Sequence, residues 1–367
     1  MTTVRQSEPE NQSEKKTMFE RNQRKPGQGL RVAIAGATGA VGEVLLGILE
    51  ERKLPIERLL PLASERSAGR TIQFAGRDVA VEEARPEAFE DIDVVFFAAT
   101  GSLSKALAPE AASRGATVID KSSTWRMDEN VPLVVPEINP EALDGHQGII
   151  ACPNCTTIGV VMALEPIRRA AGLKSVVITT LQATSGAGRD GIDELDAQVD
   201  AIRNGKEPEA KIFAAPIAYN AVPLCETLRE EDGYSTEEVK LLFETRKILG
   251  PTHAGGDIDV HMTCVRVPVP IGHSATMLME TERLLSPEEA RAALAAFPGV
   301  EVVDDVSKNL FPTPRDVVGR DDVLVGRIRR DLTSDRLALW QVSDNLRKGA
   351  ATNAVQIAET LIARKLI

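Results

Sequence analysis

The chain has 367 residues, of which 43% are hydrophobic and 26% charged, and its formal net charge is −11. This length suits two globular domains, and the excess of acid argues against nucleic acid or an anionic membrane as a partner. Four cysteines do not make a disulfide framework, and no apolar run resembles a membrane span or a signal peptide, so we expect a cytoplasmic protein. The polar residues 1–29 are predicted to form a disordered tail.

The first predicted strand, residues 31–35, runs into a glycine-rich loop, and an amphipathic helix follows at residues 44–53. The loop consists of Gly36, Ala37, Thr38, Gly39, Ala40, Val41 and Gly42. Strand, glycine loop and helix in this order predict a dinucleotide site with the pyrophosphate at the helix N-terminus. A plain tight turn is the structural alternative.

The second predicted strand, residues 59–63, ends in a polar turn. An NAD site usually has an acid here, for the ribose 2′-hydroxyl. Ser64, Arg66 and Ser67 suit a 2′-phosphate instead, so the sequence favours NADP, although Glu65 lies among them. A solvated charged turn is the alternative.

Strands and helices alternate through residues 30–151, with buried strands predicted at 93–98 and 117–120. This alternation predicts an α/β fold with a doubly wound, mostly parallel sheet of the Rossmann type. Arg126 follows the strand at 117–120 and is a candidate anion clamp; an exposed charged loop is the alternative.

Cys155 lies between a strand that ends near Cys152 and a helix predicted over residues 156–171. Free N–H groups and the helix dipole favour a thiolate there, so Cys155 is a candidate nucleophile, although a lone cysteine is usually buried. The two cysteines also form a Cys-x-x-Cys pattern. Because Cys225 and Cys264 are isolated, we expect no metal site, and a Cys152–Cys155 disulfide that inactivates the protein remains a hypothesis.

The second half predicts a mixed α+β domain. A capping box of Ser235 and Glu238 starts a helix that ends near Leu249. Its predicted apolar stripe consists of Val239, Leu242, Phe243 and Leu249. Glu244 and Lys247 lie off that stripe on a shared face, and a surface ion pair is the structural alternative.

Arg266 and His273 flank a Pro/Gly turn between two predicted strands, so both can face one cleft. A lone histidine is more often structural than catalytic. Together with Cys155 and the dinucleotide loop, they suggest oxidation of an aldehyde. In that reaction a thiolate adds to the aldehyde, hydride passes to a nicotinamide, and an anion accepts the acyl group from the thioester.

Eight segments resemble motifs of the aspartate-β-semialdehyde dehydrogenase family, in the family's order. They are residues 36–42, 64–69, 118–126, 150–157, 182–191, 244–247, 266–273 and 343–350. The resemblance implies NADP-dependent, reversible conversion of L-aspartate 4-semialdehyde and phosphate into 4-aspartyl phosphate. This is the branch-point step toward lysine through diaminopimelate, and toward threonine, methionine and isoleucine.

The resemblance also assigns roles to residues of the reaction centre. The catalytic residues it implies are Cys155 as acyl carrier, His273 as general acid/base, Gln182 to position the substrate and Asn154 to orient the reacting oxygen. The substrate-binding residues it implies are Arg266 for the carboxylate, Glu244 for the ammonium, and Arg126 and Lys247 for the phosphate. The implied NADP-binding residues are Gly36, Thr38, Gly39, Ala40, Val41, Gly42, Ser64, Arg66, Ser67, Ser185, Gly186 and Asn345.

The expected division of the chain follows from the same likeness. Residues 30–154 would bind NADP, residues 155–344 would form a catalytic and dimerisation domain, and residues 345–367 would form a helix that returns to the first domain. A homodimer or homotetramer is expected.

Three other functions fit parts of the sequence. An N-acetyl-glutamyl-phosphate reductase would share the chemistry, but an acylated amine would leave Glu244 without a purpose. A non-catalytic homologue would not need Cys155, Gln182, Arg266 and His273 together. In a cysteine hydrolase the glycine loop would only be structural.

Overall fold

The computed structural model describes residues 28–250 and 257–367. Nearly all of the tail predicted for residues 1–29 therefore lies outside the described residues. The strands, in chain order, are β1 (Leu30–Ala35), β2 (Ile56–Ala63), β3 (Thr71–Phe74), β4 (Arg77–Ala80), β5 (Glu82–Glu83), β6 (Val94–Phe97), β7 (Thr117–Asp120), β8 (Ile149–Ala151), β9 (Ser175–Gln182), β10 (Asp259–Arg266), β11 (His273–Glu280), β12 (Val300–Val302), β13 (Val323–Arg330) and β14 (Leu337–Ser343). The α-helices are α1 (Ala40–Glu51), α2 (Gly101–Ser113), α3 (Cys155–Ala171), α4 (Arg189–Arg203), α5 (Thr236–Leu249), α6 (Pro287–Ala295) and α7 (Thr352–Ala363).

The first sheet has the order β5-β2-β1-β6-β7-β8, and every pair in it is parallel. The chain moves outward from β1 in one direction to β2 and in the other to β6. Ligands bind outside the carboxyl ends of the strands at such a switch point. This confirms the predicted doubly wound, Rossmann-type sheet.

The second sheet is mixed, with the order β10-β9-β11-β14-β13-β12. Two neighbouring pairs, β10 with β9 and β12 with β13, are parallel, and the others are antiparallel. One face of this sheet carries α3, α5 and α6 over a continuous apolar core. The second domain is therefore α+β, as predicted.

The C-terminal helix packs against the first sheet. Apolar residues of α7, including Val355, Ile357 and Leu361, share one buried cluster with Leu30 and Val32 of β1. A single π-helical turn, Arg347–Ala351, precedes α7.

Local patterns misled the prediction in two places. The β3–β4 hairpin was not predicted, because its alternation is short and half exposed. The predicted stripe on α5 is wrong at Phe243, which is 44% exposed, whereas the acids Glu237 and Glu244 are buried. A stripe drawn through apolar residues cannot detect a helix that buries charged side chains in a polar site.

In the part of the chain that the structure describes, no helix combines the length and apolar character needed to cross a membrane.

Candidate active site

The candidate nucleophile lies at the first residue of α3. Asn154 caps this helix: its side-chain oxygen accepts hydrogen bonds from the backbone N–H groups of Thr156 and Thr157 at 2.8 and 3.3 Å. Asparagine is a preferred N-cap because its short side chain reaches those unpaired donors. Cys155 is partly exposed, so its thiol is not sealed in the core.

The imidazole of His273 faces the thiol, with Nε2 at 3.3 Å from Sγ of Cys155. The backbone N–H of Ala183 donates to Nδ1 of His273 at 3.0 Å. Because Nδ1 accepts this bond, the neutral ring carries its proton on Nε2, which is directed at the sulfur. The imidazole can therefore donate a hydrogen bond to a thiolate, or to an oxygen on a carbon attached to the sulfur.

Burial shifts the pKa values of this pair in directions that the sequence did not indicate. Burial lowers the pKa of His273 well below its ordinary value, and the Arg266 guanidinium lowers it further. Burial raises the pKa of the Cys155 thiol, and the Glu237 carboxylate adds to this, while Lys121 and Arg266 act in the opposite direction. Burial thus acts against the thiolate that the helix N-terminus favours, and it also acts against a charged imidazole.

Three strand ends bring the other predicted catalytic side chains to this point. Gln182 and Arg266 are partners in register at the carboxyl ends of the parallel strands β9 and β10. His273 begins the neighbouring antiparallel strand β11, so it lies at the same edge of the sheet. All three side chains are buried. The Pro/Gly turn thus places Arg266 and His273 in one cleft, as the sequence predicted.

Two glycines allow the reacting side chains to lie close to the neighbouring backbone. A Cβ on Gly186 would lie 2.5 Å from Nη1 of Arg266 and 3.2 Å from Cε1 of His273. A Cβ on Gly349, in the π-helical turn, would lie 3.1 Å from Cβ of Cys155. A larger residue at either position would displace the reacting groups.

A cavity of about 250 Å³ opens beside the thiol. Its polar lining consists of Asn154, Cys155, Gln182, Glu226, Glu237 and Arg266. The guanidinium of Arg266 donates to the backbone oxygen of Ala183 at 2.7 Å and lies 5.8 Å from the ring centre of Phe213. The cavity is small and presents charges of both signs, which suits a small zwitterionic molecule.

The three residues assigned to phosphate and ammonium lie close together but contact one another or the backbone. Nη1 of Arg126 donates to Glu244 at 2.9 Å, and both side chains are buried. Lys247 donates to three backbone oxygens, those of Arg126, Asp128 and Val131. The alternative of a surface ion pair between Glu244 and Lys247 is wrong, because Glu244 is only 1% exposed. An exposed loop is likewise wrong for Arg126.

The glycine loop fills the space between β1 and α1 tightly. Gly36 has a φ of +90°, and a Cβ there would lie 2.4 Å from the backbone oxygen of Ala98. A Cβ on Gly42 would lie 2.2 Å from the oxygen of Gly36, so the loop can only form with glycine at both positions. The N-cap of α1 is Gly39, which has no side chain to supply a capping oxygen. The first N–H groups of the helix are therefore left for a ligand. The predicted residues Thr38, Ala40 and Val41 are part of this loop and first turn.

The polar turn after β2 forms a short 3₁₀ helix, Glu65–Ser67. Ser64 and Arg66 are exposed, and Ser67 is buried. The turn lies at the carboxyl end of β2, next to β1, where a ribose would lie.

The remaining predicted cofactor residues form a second wall. Ser185 and Asn345 are buried and hydrogen-bonded to each other, with Asn345 Nδ2 at 2.8 Å from Ser185 Oγ. Asn345 Oδ1 also accepts from the N–H of Gly272 at 3.0 Å. Arg189, at the start of α4, forms an ion pair with Glu43 in the first turn of α1. The Ser185 loop therefore lies beside the glycine loop.

Sequence reasoning missed three charged side chains near the thiol, those of Lys121, Glu226 and Glu237. Glu237 hydrogen-bonds to Asn154 and lines the cavity. Lys121 follows β7, and its charge lowers the pKa of Cys155. Lys121 was detectable as a polar residue at a strand's carboxyl end, whereas Glu237 resembles an ordinary acid in a helix's first turn.

The cysteines are all free thiols. Cys152 is fully buried, and burial raises the pKa of its thiol to about 11. Within the described ranges no cluster of ligating side chains could hold a metal ion.

Two family models match the chain. Residues 31–146 match the semialdehyde dehydrogenase NAD-binding domain, and residues 164–348 match the semialdehyde dehydrogenase dimerisation domain.

Several similar proteins are named aspartate-semialdehyde dehydrogenase. The aspartate-semialdehyde dehydrogenase of Aquifex aeolicus is 51% identical, over 92% of this chain and 100% of its own length. That of Bacillus subtilis is 48% identical, over 93% and 100%. The crystal structure of aspartate semialdehyde dehydrogenase II from Vibrio cholerae complexed with ASA has a TM-score of 0.87 and 44% identity, covering 92% of this chain and 99% of that one. A Candida albicans enzyme of the same name, solved with NADP, has a TM-score of 0.72 and 27% identity, covering 92% and 100%.

Proposed function

This chain belongs to the aspartate-semialdehyde dehydrogenase family of oxidoreductases, and we propose that it catalyses the NADP-dependent, reversible oxidation of L-aspartate 4-semialdehyde with phosphate to 4-aspartyl phosphate. The observation that carries this proposal is the contact between Cys155 and His273, at 3.3 Å, beside a cavity that contains Arg266. The relatives' name and the complex of the Vibrio cholerae enzyme with ASA support the substrate. In the cell the reaction would run in the reverse direction, as the reduction of 4-aspartyl phosphate on the route to lysine, threonine, methionine and isoleucine.

The glycine loop of the first domain has the close packing and the open helix N-terminus that a dinucleotide site needs. The positions at Gly36 and Gly42 have no room for a side chain, and the N-terminus of α1 is open to a pyrophosphate. The bound nicotinamide would supply the hydride acceptor. Ser64, Arg66 and Ser67 would take the 2′-phosphate, and the Candida albicans neighbour solved with NADP supports this choice. Ser185, Gly186 and Asn345 would line the opposite wall.

The chain's own residues then act in sequence. The thiol of Cys155 gives up its proton to water in the cavity, and Sγ then adds to the aldehyde carbon as a thiolate. Nε2–H of His273 donates a hydrogen bond to the carbonyl oxygen as it becomes negative. The oxyanion re-forms its double bond as hydride leaves the carbon, which leaves an acyl thioester on Cys155. An oxygen of phosphate attacks the acyl carbon, and the thiolate of Cys155 leaves. Gln182, at the sheet edge, would hold the acyl chain beside the sulfur.

The ion pair between Arg126 and Glu244 would exchange partners when substrates bind. Phosphate would take Arg126, and the substrate's ammonium would take Glu244, so each charge keeps a partner of opposite sign. Lys247 holds the backbone that carries Arg126 and would add its charge to the phosphate site.

Arg266→Lys tests the carboxylate assignment. We expect KM for the aldehyde to rise about tenfold or more, with a smaller change in kcat. The reason is that a lysine ammonium cannot replace a guanidinium, which binds a carboxylate through two parallel hydrogen bonds. Steady-state kinetics would measure this. Arg246→Lys is the matched control, since Arg246 donates to the backbone of Ile258 outside the cavity. An unchanged KM in Arg266→Lys would contradict the assignment.

The open face of the second sheet supports a homodimer. This face, opposite α3 and α5, carries apolar side chains, among them Val177, Leu181, Leu278 and Trp340. Val177 is 43% exposed and lies opposite Leu278 in register. Such a face is typical of a subunit interface, and the family model that covers these strands is the dimerisation domain.

Charges on that face should separate the subunits. We expect the double variant Val177→Glu, Leu278→Glu to sediment as a monomer at concentrations where the wild type is a dimer, because facing carboxylates would be desolvated in the interface. Leu332→Glu is the control, since Leu332 is fully exposed. A dimeric double variant would show that the subunits pair elsewhere.

The decisive assay is reduction of NADP with L-aspartate 4-semialdehyde, with and without phosphate. We expect turnover that depends on both. N-acetyl-glutamate semialdehyde should be a poor substrate, because its acylated amine cannot pair with a buried carboxylate. Faster turnover of the acetylated aldehyde would favour the reductase, and failure to bind NADP would favour a cysteine hydrolase.

A further inference from the structure

The cavity beside the thiol has an apolar wall that plays no part in the scheme above. Ile212, Phe213 and Ala214 form this wall together with Leu224. The first three belong to one loop, residues 205–218, which follows α4 and which we call the cover loop. An apolar wall does not react with a substrate, but it sets the shape of the space that the substrate fills.

Two neighbours leave the Arg266 guanidinium little room to move. Its Cζ lies over the Phe213 ring, 5.8 Å from the ring centre, a distance at which a guanidinium and an aromatic face attract each other. Nη1 donates to the backbone oxygen of Ala183 at 2.7 Å, and a Cβ on Gly186 would lie 2.5 Å from the same nitrogen. The guanidinium is therefore held between the ring and the loop that contains Gly186.

The guanidinium still has a hydrogen bond to offer. Arg266 is only 5% exposed, and its buried Nε has no hydrogen-bond partner among the described residues. A buried N–H without an acceptor is costly, so the site is built for an acceptor that arrives with a ligand. The position of the guanidinium then decides where that end of the ligand lies.

The Phe213 ring is itself supported from α4. A Cβ on Gly191, in the first turn of that helix, would lie 3.2 Å from Cζ of Phe213. The ring also packs against a small apolar cluster, whose buried members are Leu195, Ile217, Ala218 and Val222. The ring cannot move back from Arg266 unless the helix or this cluster moves with it.

Two buried polar side chains of α4 bind the cover loop on both sides of the ring. Glu194 is 8% exposed and Gln198 is 2% exposed, and Nε2 of Gln198 donates to Glu194 at 2.9 Å. Glu194 accepts from the N–H groups of Lys211 at 3.0 Å and Ile212 at 2.5 Å. Gln198 accepts from the N–H groups of Ile217 at 2.7 Å and Ala218 at 3.0 Å, and donates to the oxygen of Glu209 at 2.9 Å. Five backbone groups of the loop are thus fixed to one helix.

We propose that Phe213 is a specificity-determining residue, which fixes the distance between the Arg266 guanidinium and the Cys155 sulfur. That distance sets the number of carbon atoms that a substrate can have between its carboxylate and its aldehyde. This inference rests on the proposed function and deepens it. A four-carbon aldehyde fits between the two groups, and one more methylene is rejected by about 10–200-fold, the range typical of a packed site.

Unreactive amino acids test the cavity without turnover. L-2-aminobutyrate has four carbons, as the aldehyde has, and L-norvaline has five. In the wild type we expect L-2-aminobutyrate to protect Cys155 from iodoacetamide at a concentration about tenfold lower than L-norvaline does. In Phe213→Ala the two concentrations should become equal or reverse their order. Phe213→Met should keep the wild-type preference, because methionine has nearly the reach of phenylalanine.

Tyr219→Ala is the matched control. Tyr219 lies just after the cover loop, is 69% exposed and does not line the cavity, so the preference should stay as in the wild type. A wild-type preference in Phe213→Ala would overturn the proposal. Equal losses in Phe213→Ala and Phe213→Met would also overturn it, as would a wild type that neither amino acid protects.

A second experiment tests whether α4 positions the ring. In Glu194→Ala we expect faster amide hydrogen exchange at Lys211 and Ile212, because their N–H groups lose an acceptor. The preference for L-2-aminobutyrate should fall, and adding Phe213→Ala to Glu194→Ala should cause no further loss. Additive losses would show that Glu194 does not act through the ring and would overturn this part of the proposal.

Turnover separates this inference from the proposed function. In Phe213→Ala, KM for L-aspartate 4-semialdehyde should rise about tenfold, with a smaller change in kcat, since the carboxylate site is loosened and the thiol is not. A wild type that shows the expected amino-acid preference but does not oxidise the aldehyde would refute the proposed function alone. An active wild type whose preference survives in Phe213→Ala would refute this inference alone.

Discussion

Replacing Cys155 with alanine is expected to abolish turnover. No other thiol can take its place, since Cys152 is fully buried and burial raises the pKa of its thiol to about 11. Without the sulfur no thioester forms, and phosphate has no activated acyl group to attack. The loss should exceed 10³-fold, as for removal of a nucleophile in enzymes that work by covalent catalysis.

NADP binding should survive this substitution, because the glycine loop and the turn after β2 do not contact the thiol. Titration calorimetry with NADP would check this, and Cys152→Ala would serve as the matched control that keeps its activity. Wild-type-like rates in Cys155→Ala would show that Cys155 is not the nucleophile. Activity of Cys152→Ala that still disappears under peroxide would exclude the disulfide hypothesis.

His273→Asn is expected to lower kcat by about 10²–10⁴ with little change in substrate affinity. Asparagine is shorter than histidine, so its amide cannot both accept from Ala183 and reach the sulfur, a span that the imidazole bridges with bonds of 3.0 and 3.3 Å. Steady-state kinetics in both directions would measure the loss. A rate within tenfold of wild type would contradict the assignment.

His273→Gln separates the two roles that an imidazole can play. Glutamine can donate from a longer side chain but cannot exchange a proton near neutral pH. Partial recovery relative to His273→Asn would assign His273 the donor's role that its Nε2–H suggests. An equal loss in both variants would restore the general acid/base role.

The pH dependence of Cys155 alkylation follows from the same pair. Burial raises the pKa of the thiol, and the Glu237 carboxylate adds to it. Since the thiolate is the reactive form, the rate of iodoacetamide alkylation in the ligand-free protein should keep rising as the pH increases above neutral. The low pKa of His273 means that the imidazole stays neutral throughout that range. A plateau already below neutral pH would indicate a thiolate–imidazolium pair instead.

Much of the fold could be predicted because its signals are local. The glycine loop lies directly between β1 and α1, and the capping box of Ser235 and Glu238 starts α5 within four residues. Buried parallel strands such as β6 are continuous apolar runs. Each of these features depends on neighbours in the chain, so the printed residues suffice to identify it.

The sequence by itself therefore determined the architecture, the family, and the position of a thiol at a helix N-terminus. Only the tertiary structure decided what surrounds that thiol. His273 is 118 positions from Cys155, and Glu237 is 83 positions from Asn154. No periodicity connects such residues. The register of β9, β10 and β11 and the packing of α5 bring them together, and burial at that meeting point sets which groups carry charge.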